Sequence, residues 1–141
     1  MNLITALNVN ASGLTAQRKR VELSSANLAN SQTTRTEEGG PYRRKDVVFQ
    51  TASFQDSLGA AMGGGVDGVE VSEVVDDPTP FDRRYEPGHP DADKDGYVSY
   101  PNVNVMAEMA NLVSASKSYE ANLAAIGIVK AMINRTLEIG R

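Results

Sequence analysis

Hydrophobic positions recur with one period at the two ends of the chain and with another in its middle. Near the N-terminus Leu3, Leu7, Asn10, Leu14, Gln17, Val21, Ser24 and Leu28 step alternately by four and three, the heptad spacing of a helix that lays one stripe against a partner. One row of that stripe, Leu7, Leu14, Val21 and Leu28, is wholly apolar, and the other is polar after Leu3. Near the C-terminus Val105, Met109, Leu112, Ser116, Tyr119, Leu123, Ile126, Lys130, Ile133 and Leu137 take the same steps, and eight of the ten are apolar. Such helices run roughly 39 Å and 50 Å, longer than a compact domain of this mass needs. The PNVN run supplies an N-cap for the second helix at Asn102 or Asn104, and Gly140 ends it. Gly127 inside it costs about 1 kcal/mol against Ala, or marks a close approach to a neighbour.

Between the helices the pattern shortens to β-like alternation, clearest in KDVVFQ at Lys45 to Gln50 and GVEVSEVV at Gly68 to Val75. Val69, Val71, Phe81, Tyr85, Val98 and Tyr100 are positioned to form a small apolar surface. AAMGGGVDG reads as a link or turn, and five of the six prolines fall between Pro78 and Pro101. The expected fold is mainly α with a small β insert. It has an N-terminal helix within 1–32, an acidic β-rich insert over 33–102 and a C-terminal helix within 103–141, the two heptad helices packing as a coiled coil. Neither helix buries its stripe alone, so the termini must meet. One seam between two helices is a thin core, set against ordering costs of about 1 to 2 kcal/mol per residue. The helices are therefore expected to be marginal in the monomer and to pack fully only against copies or partners. A heterologous contact that does not close then gives a helical filament.

Charge sharpens this picture. Seven basic and three acidic residues give residues 1–45 a charge of +4, three basic and twelve acidic give 46–102 a charge of −9, and 103–141 carries +1. The acid lies in the middle third. Basic residues fall in short groups, Arg18 to Arg20 and Arg43 to Lys45, without the interleaved aromatics of a base-stacking platform, which argues against nucleic acid as a partner. Those groups are either solvated surface or partners for acidic inserts of adjacent subunits. The chain has no Cys and one His, which excludes disulfides and thiolate zinc sites. No apolar run reaches the ~18 residues of a membrane span. The N-terminal charges follow the weakly apolar stretch, so a cleavable secretion signal is not expected.

Candidate chemistry is sparse. DADKDG at Asp91 to Gly96 opens like an EF-hand loop, but position twelve is Asn102, position eleven is Pro101, and PGHP replaces the entering helix. An ordinary acidic turn is the simpler reading. His89 has no second His or Cys to share a metal, no GxSxG occurs, and the glycines at 63–65 precede no Lys-Ser/Thr pair. Asp76 and Asp77 before a proline read as turn residues. No catalytic, cofactor-binding or metal-ligating set emerges, and neither an enzyme nor a small-molecule substrate is expected.

Both ends carry more than periodicity. ALNVNASGLTAQRKRVELSSANLAN, ending at Asn30, resembles the N-terminal signature of flagellar basal-body rod proteins, and SYEANL at Ser118 to Leu123 resembles the C-terminal signature shared by rod, hook and related axial proteins. TTRTEEGGPYRRK (Thr33 to Lys45) and HPDADKDGYVSYPNVNVMAEM (His89 to Met109) are similar to the short proximal-rod members of that family. Only Ser53 to Asp67 carries no match.

The resemblance implies a non-enzymatic structural subunit of the bacterial flagellum, located in the basal-body rod across the periplasm. It would be exported uncleaved by the flagellar type III apparatus and assembled through its terminal helices into a tube around the export channel. The implied partners are copies of itself, other rod proteins, basal-body ring and adapter components and the export apparatus, with no cofactor. Carried onto this sequence, the assembly residues would be Leu7, Leu14, Val21 and Leu28, the Asn27 and Asn30 turn, Tyr119, Leu123, Ile126, Ile133 and Leu137 for packing, and Glu120 and Asn122 for polar contacts. Two other classes compete: a coiled-coil adapter forming a closed oligomer, and a weak calcium module at Asp91, Asp93 and Asp95.

Overall fold

The heptad segments form two long helices, α1 (Leu3–Ala29) and α2 (Val105–Ile139), in a computed structural model that describes residues 3–53 and 67–139. Both helices end on asparagine chemistry. The side chain of Asn104 accepts hydrogen bonds from the backbone N–H groups of Met106 (3.0 Å) and Ala107 (3.1 Å), which makes Asn104 the N-cap of α2. At the other junction the backbone and side-chain amides of Asn30 both donate to the Ala26 carbonyl, at 3.0 and 2.9 Å, closing the last turn of α1. Gly140 and nearly all of the AAMGGGVDG run lie outside the described residues.

Two antiparallel pairs make up the β region. β1 (Lys45–Ser53) pairs with β2 (Asp67–Asp76), and β3 (Asp82–Tyr85) with β4 (Tyr97–Tyr100). In the first pair Val48 faces Glu73 and Phe49 faces Val71, which leaves Ser72 over as a bulge. The sequence explains it: Val69, Val71 and Val74 break the two-residue period of a strand. Looping out one residue returns Val74 to the face shared by Val47, Phe49 and Val71.

The helices run antiparallel. Gly13 lies beside Asn122, Arg20 beside Asn111 and Asn27 beside Glu108, so α2 recedes in number as α1 advances. The β1–β2 hairpin lies along α1, with the Lys45 backbone bonded to Asn27 at one end and the Val69 N–H donating to the Ser12 hydroxyl (3.1 Å) at the other. Helix α1 is therefore the middle layer. Its heptad stripe from Leu3 to Leu28 is half-buried or buried throughout, and the exposed positions form the complementary stripe from Ile4 to Ala29.

The core is small and only partly apolar. Ala16, Val98 and Ala115 are its buried hydrophobic members among the described residues, beside buried Ser24, Asn27 and Glu108. Of the apolar surface expected in the middle, Val98 is fully covered while Tyr85 is mostly exposed and meets Tyr97 edge-on, 5.3 Å between centroids. The 91–96 loop is an acidic turn. The Asp93 carboxylate accepts from the backbone N–H of Asp95 (3.0 Å) and Tyr97 (2.9 Å) and from Arg83 (2.7 Å), and Asp91 accepts from the Thr34 hydroxyl (2.8 Å). Gly96 completes that turn at φ +81°, with the Tyr85 ring 2.9 Å from where a Cβ would sit. Gly127 is different: among the described residues no atom outside its own turn of helix lies within 4 Å of its Cβ position, so no close approach among them requires it.

Candidate assembly surface

Three features decide what the helix pair can do: what fixes its rotation, what lies between the helices, and what remains outside. Rotation is fixed by a buried polar clasp. Glu108 and Asn27 are each 1% exposed. The Arg44 Nε donates to one Glu108 oxygen at 2.8 Å, and the Asn27 amide donates to the other at 3.3 Å and to the Lys45 carbonyl at 2.8 Å. The Asn27 oxygen in turn accepts from the Tyr42 hydroxyl (2.9 Å) and the Lys45 N–H (3.0 Å). Arg44 also reaches Asp46 (3.0 Å) and Asp77 (3.3 Å), while the Asn102 side chain accepts from the Arg44 N–H (2.9 Å) and donates to the Thr79 hydroxyl (2.8 Å). Both helices, β1 and the ends of the insert are thereby tied at one point.

Electrostatics follow from that arrangement. Burial alone would lower the Arg44 pKa, but the bonds and charges of Glu108 and Asp46 outweigh it, and the net shift is upward. Burial, then the charges of Asp76 and Glu108, push the Tyr42 hydroxyl up. Hydrogen bonds from Thr79, then Arg44, hold the Asp77 carboxyl below the usual carboxylate range. Asp77 thus stabilises the fold above its unfolded value of about 4, and that contribution is lost as pH falls through the lower folded value. The urea midpoint should drop on acidification below about pH 4, and Asp77→Asn should flatten the drop. An acid limb identical in the variant would remove Asp77 from the account.

Between the helices the contact is close and not greasy. The α2 positions turned toward α1 are Glu108, Asn111, Ala115, Ser118, Asn122, Ala125 and Val129, which again step by three and four and are half-buried or buried. Small side chains permit the approach, and Gly13 is where it is tightest. A Cβ there would stand 2.9 Å from the Asn122 amide nitrogen. Gly13→Leu should therefore force the helices apart and cost about 1–3 kcal/mol. Gly13→Ala should stay near wild type in the urea midpoint, since its gain in helix propensity of about 1 kcal/mol offsets a small shift of Asn122. Equal midpoints for the two variants would contradict the close approach.

What remains outside is much of the apolar content of α2. Because the clasp turns the polar row inward, the more hydrophobic positions of α2 face solvent: Met106 is 75% exposed, Leu123 54% and Leu137 66%, with Met109, Val113, Tyr119, Ile128 and Met132 also exposed. Of the residues singled out from sequence, Leu7, Leu14, Val21 and Leu28 are half-buried on α1, Asn27 is the hub of the clasp, and half-buried Asn30 closes α1. Ile126 and Ile133 are half-buried, and Asn122 packs on Gly13. Glu120 is exposed and paired with Lys117 at 3.1 Å. Sequence reasoning read the Arg43 to Lys45 group as solvated surface or as partners for adjacent subunits, Asp77 as a turn residue and Asn102 as one possible cap, and assigned no role to Glu108; Arg44 instead is mostly buried and pairs within the chain with Glu108, Asp46 and Asp77. The signal was present in Glu108, the sole charge between Val105 and Ser116.

Comparison with known proteins agrees with this arrangement of ends. A family profile described as "Flagella basal body rod protein" matches residues 7–35, which cover most of α1 and its exit, and one described as "Flagellar basal body rod FlgEFG protein C-terminal" matches residues 94–139, which cover β4 and α2. The flagellar basal-body rod protein FlgC of Bacillus subtilis is 45% identical over the full length of both chains. FlgC of Salmonella typhimurium is 42% identical, also over the full length of both, and that of Borreliella burgdorferi is 40% identical over 99% of this chain and 98% of its own. With full-length identity at this level and the two signature regions forming the helix pair, the chain belongs to the FlgC family of flagellar basal-body rod proteins, a structural and not an enzymatic family.

Proposed function

We propose that this chain is a structural subunit of the proximal rod that assembles through the outer face of α2, and that the same helix pair forms the wall around the export channel. The observation that carries this reading is the number of exposed apolar side chains spread around the solvent side of α2, Met106, Met109, Val113, Leu123, Ile128, Met132 and Leu137. So much exposed apolar surface on one helix is ordinarily covered. Helix α1 is already flanked by α2 on one side and the hairpin on another, so α2 is the element left with capacity for partners. The seam with α1 is short of apolar area, consistent with a chain that gains its full packing only on assembly. Export as an unfolded chain by the type III apparatus fits such marginal helices. Torque passes through the assembled wall because mutually wedged side chains resist twist through many small contacts. The partners are copies of the chain and other rod proteins, with ring and adapter components at the base.

The test is deletion of the gene in the source bacterium followed by electron microscopy and mass spectrometry of hook-basal bodies. The chain should be present in wild-type particles, and its deletion should leave rings without rod or hook. Complete basal bodies in the deletion strain would overturn the reading and revive a closed coiled-coil adapter.

A further inference from the structure

The described residues keep all of their sulfur on one helix. Met106, Met109 and Met132 are the methionines among them, each lies on α2, and each is exposed, at 75%, 46% and 51%. None belongs to the buried core, whose apolar members are Ala16, Val98 and Ala115. The chain has no Cys, so no thiol competes with these thioethers for an oxidant. Met106 stands about 200° round the helix from Glu108 and therefore opposite the row that meets α1. Met106 and Met132 are twenty-six positions apart, about 39 Å of helix. The sulfurs thus mark both ends of the solvent side of α2.

An exposed thioether is open to a peroxide. The sulfur lone pair takes one peroxide oxygen as the O–O bond breaks, and the remaining oxygen leaves as water. Sulfur is oxidised by two electrons and the peroxide is reduced by two. The product exchanges a flexible apolar side chain for a polar one. In the free chain water solvates the new S–O group, and a surface change of this kind barely moves stability. Within an apolar contact between subunits the same group would lose its water and gain no donor, which is costly.

We propose that Met106, Met109 and Met132 form an oxidant-sensitive modification site that controls assembly. Peroxide converts them to sulfoxides in the free chain, and the modified chain stays folded but is not incorporated into the rod. This rests on the reading of α2 as the assembly surface and names the chemistry that regulates it. The control is reversible, because sulfoxide reductases restore the thioether. Assembly covers the same sulfurs, so the oxidant acts on the unassembled pool.

Peptide mass spectrometry of the purified chain treated with hydrogen peroxide should find all three positions converted, Met106 fastest, with the urea midpoint unmoved. Cells given a sublethal peroxide pulse together with isotope-labelled amino acids then test incorporation. Labelled chain in the soluble pool should carry sulfoxide at these positions, and labelled chain in basal bodies should carry several-fold less. Equal sulfoxide in the two pools would overturn the proposal. Separately, Met106→Gln, Met109→Gln and Met132→Gln together place a polar side chain of similar length at each position. That variant should keep the wild-type midpoint and be exported, yet be incorporated several-fold less. Incorporation at the wild-type level would overturn the proposal as well. If the triple variant melts early, the sulfoxide distribution decides. Absence of the chain from basal bodies of untreated cells would instead defeat the rod reading itself.

Discussion

Glu108→Ala should cost about 3 kcal/mol, the scale of removing one partner from a buried ion pair, and should lower the melting temperature by roughly 10 °C. The reason is local. Glu108 is almost wholly enclosed, and its two oxygens are the acceptors for the Arg44 guanidinium and the Asn27 amide. Truncation leaves a mostly buried cation and an amide with one acceptor fewer, at the point where both helices meet β1. Arg44 keeps Asp46 and Asp77, which limits the loss. Glu108→Leu combined with Arg44→Met should recover part of the stability, since apolar groups of similar volume carry no unpaired charge. The chain has no Trp, so tyrosine fluorescence or circular dichroism reports the melt, and Tyr42 sits in the clasp itself. A Glu108→Ala protein that melts like wild type would mean the clasp contributes nothing to holding the helices.

Leu123→Asp should do the reverse: leave the free chain nearly unchanged and abolish rod assembly and motility. Leu123 is more than half exposed in the monomer, and surface substitutions away from special features usually fall within about 0.5 kcal/mol of wild type. Within an apolar contact between subunits the same carboxylate would be stripped of water with no partner, a far larger penalty. Urea midpoints for the purified chain and swimming assays at native expression separate the two effects. Normal swimming would exclude Leu123 from any interface. A collapsed midpoint would mean that Leu123 packs within the chain.

Much of this architecture was legible because periodicity is a direct image of packing. The N-terminal heptad identified the stripe of α1 that is covered, and the alternating valines located β1 and β2. The C-terminal heptad was equally regular, yet only Leu112, Ser116, Ile126 and Ile133 of it are half-buried, and the other six positions are exposed. Hydrophobicity identifies a face that needs covering without saying by what. Here the choice falls to Glu108, whose bond to Arg44 turns the neighbouring polar row inward. That bond spans 64 positions in the chain, and no local pattern encodes it. Asn27 shows the same limit. It was read as part of a turn with Asn30, whereas its amide sits inside the helix and satisfies two backbone groups of Lys45. Helix direction was likewise undetermined from the stripes, which fit a parallel or an antiparallel partner. The close approach of Gly13 to Asn122 and the clasp at the far end settle it.

Assembly through the outer side of α2 is tested by the accessibility of that helix before and after the rod forms. A Leu123→Cys chain has a single thiol, and its rate of maleimide labelling can be compared between the purified chain and intact basal bodies, with Arg83→Cys on β3 as the reference. Position 123 should label rapidly in the free chain and be strongly protected in the assembled particle, relative to position 83. Equal labelling of position 123 in both states would show that the outer face of α2 stays open in the rod, and assembly would have to run through another surface.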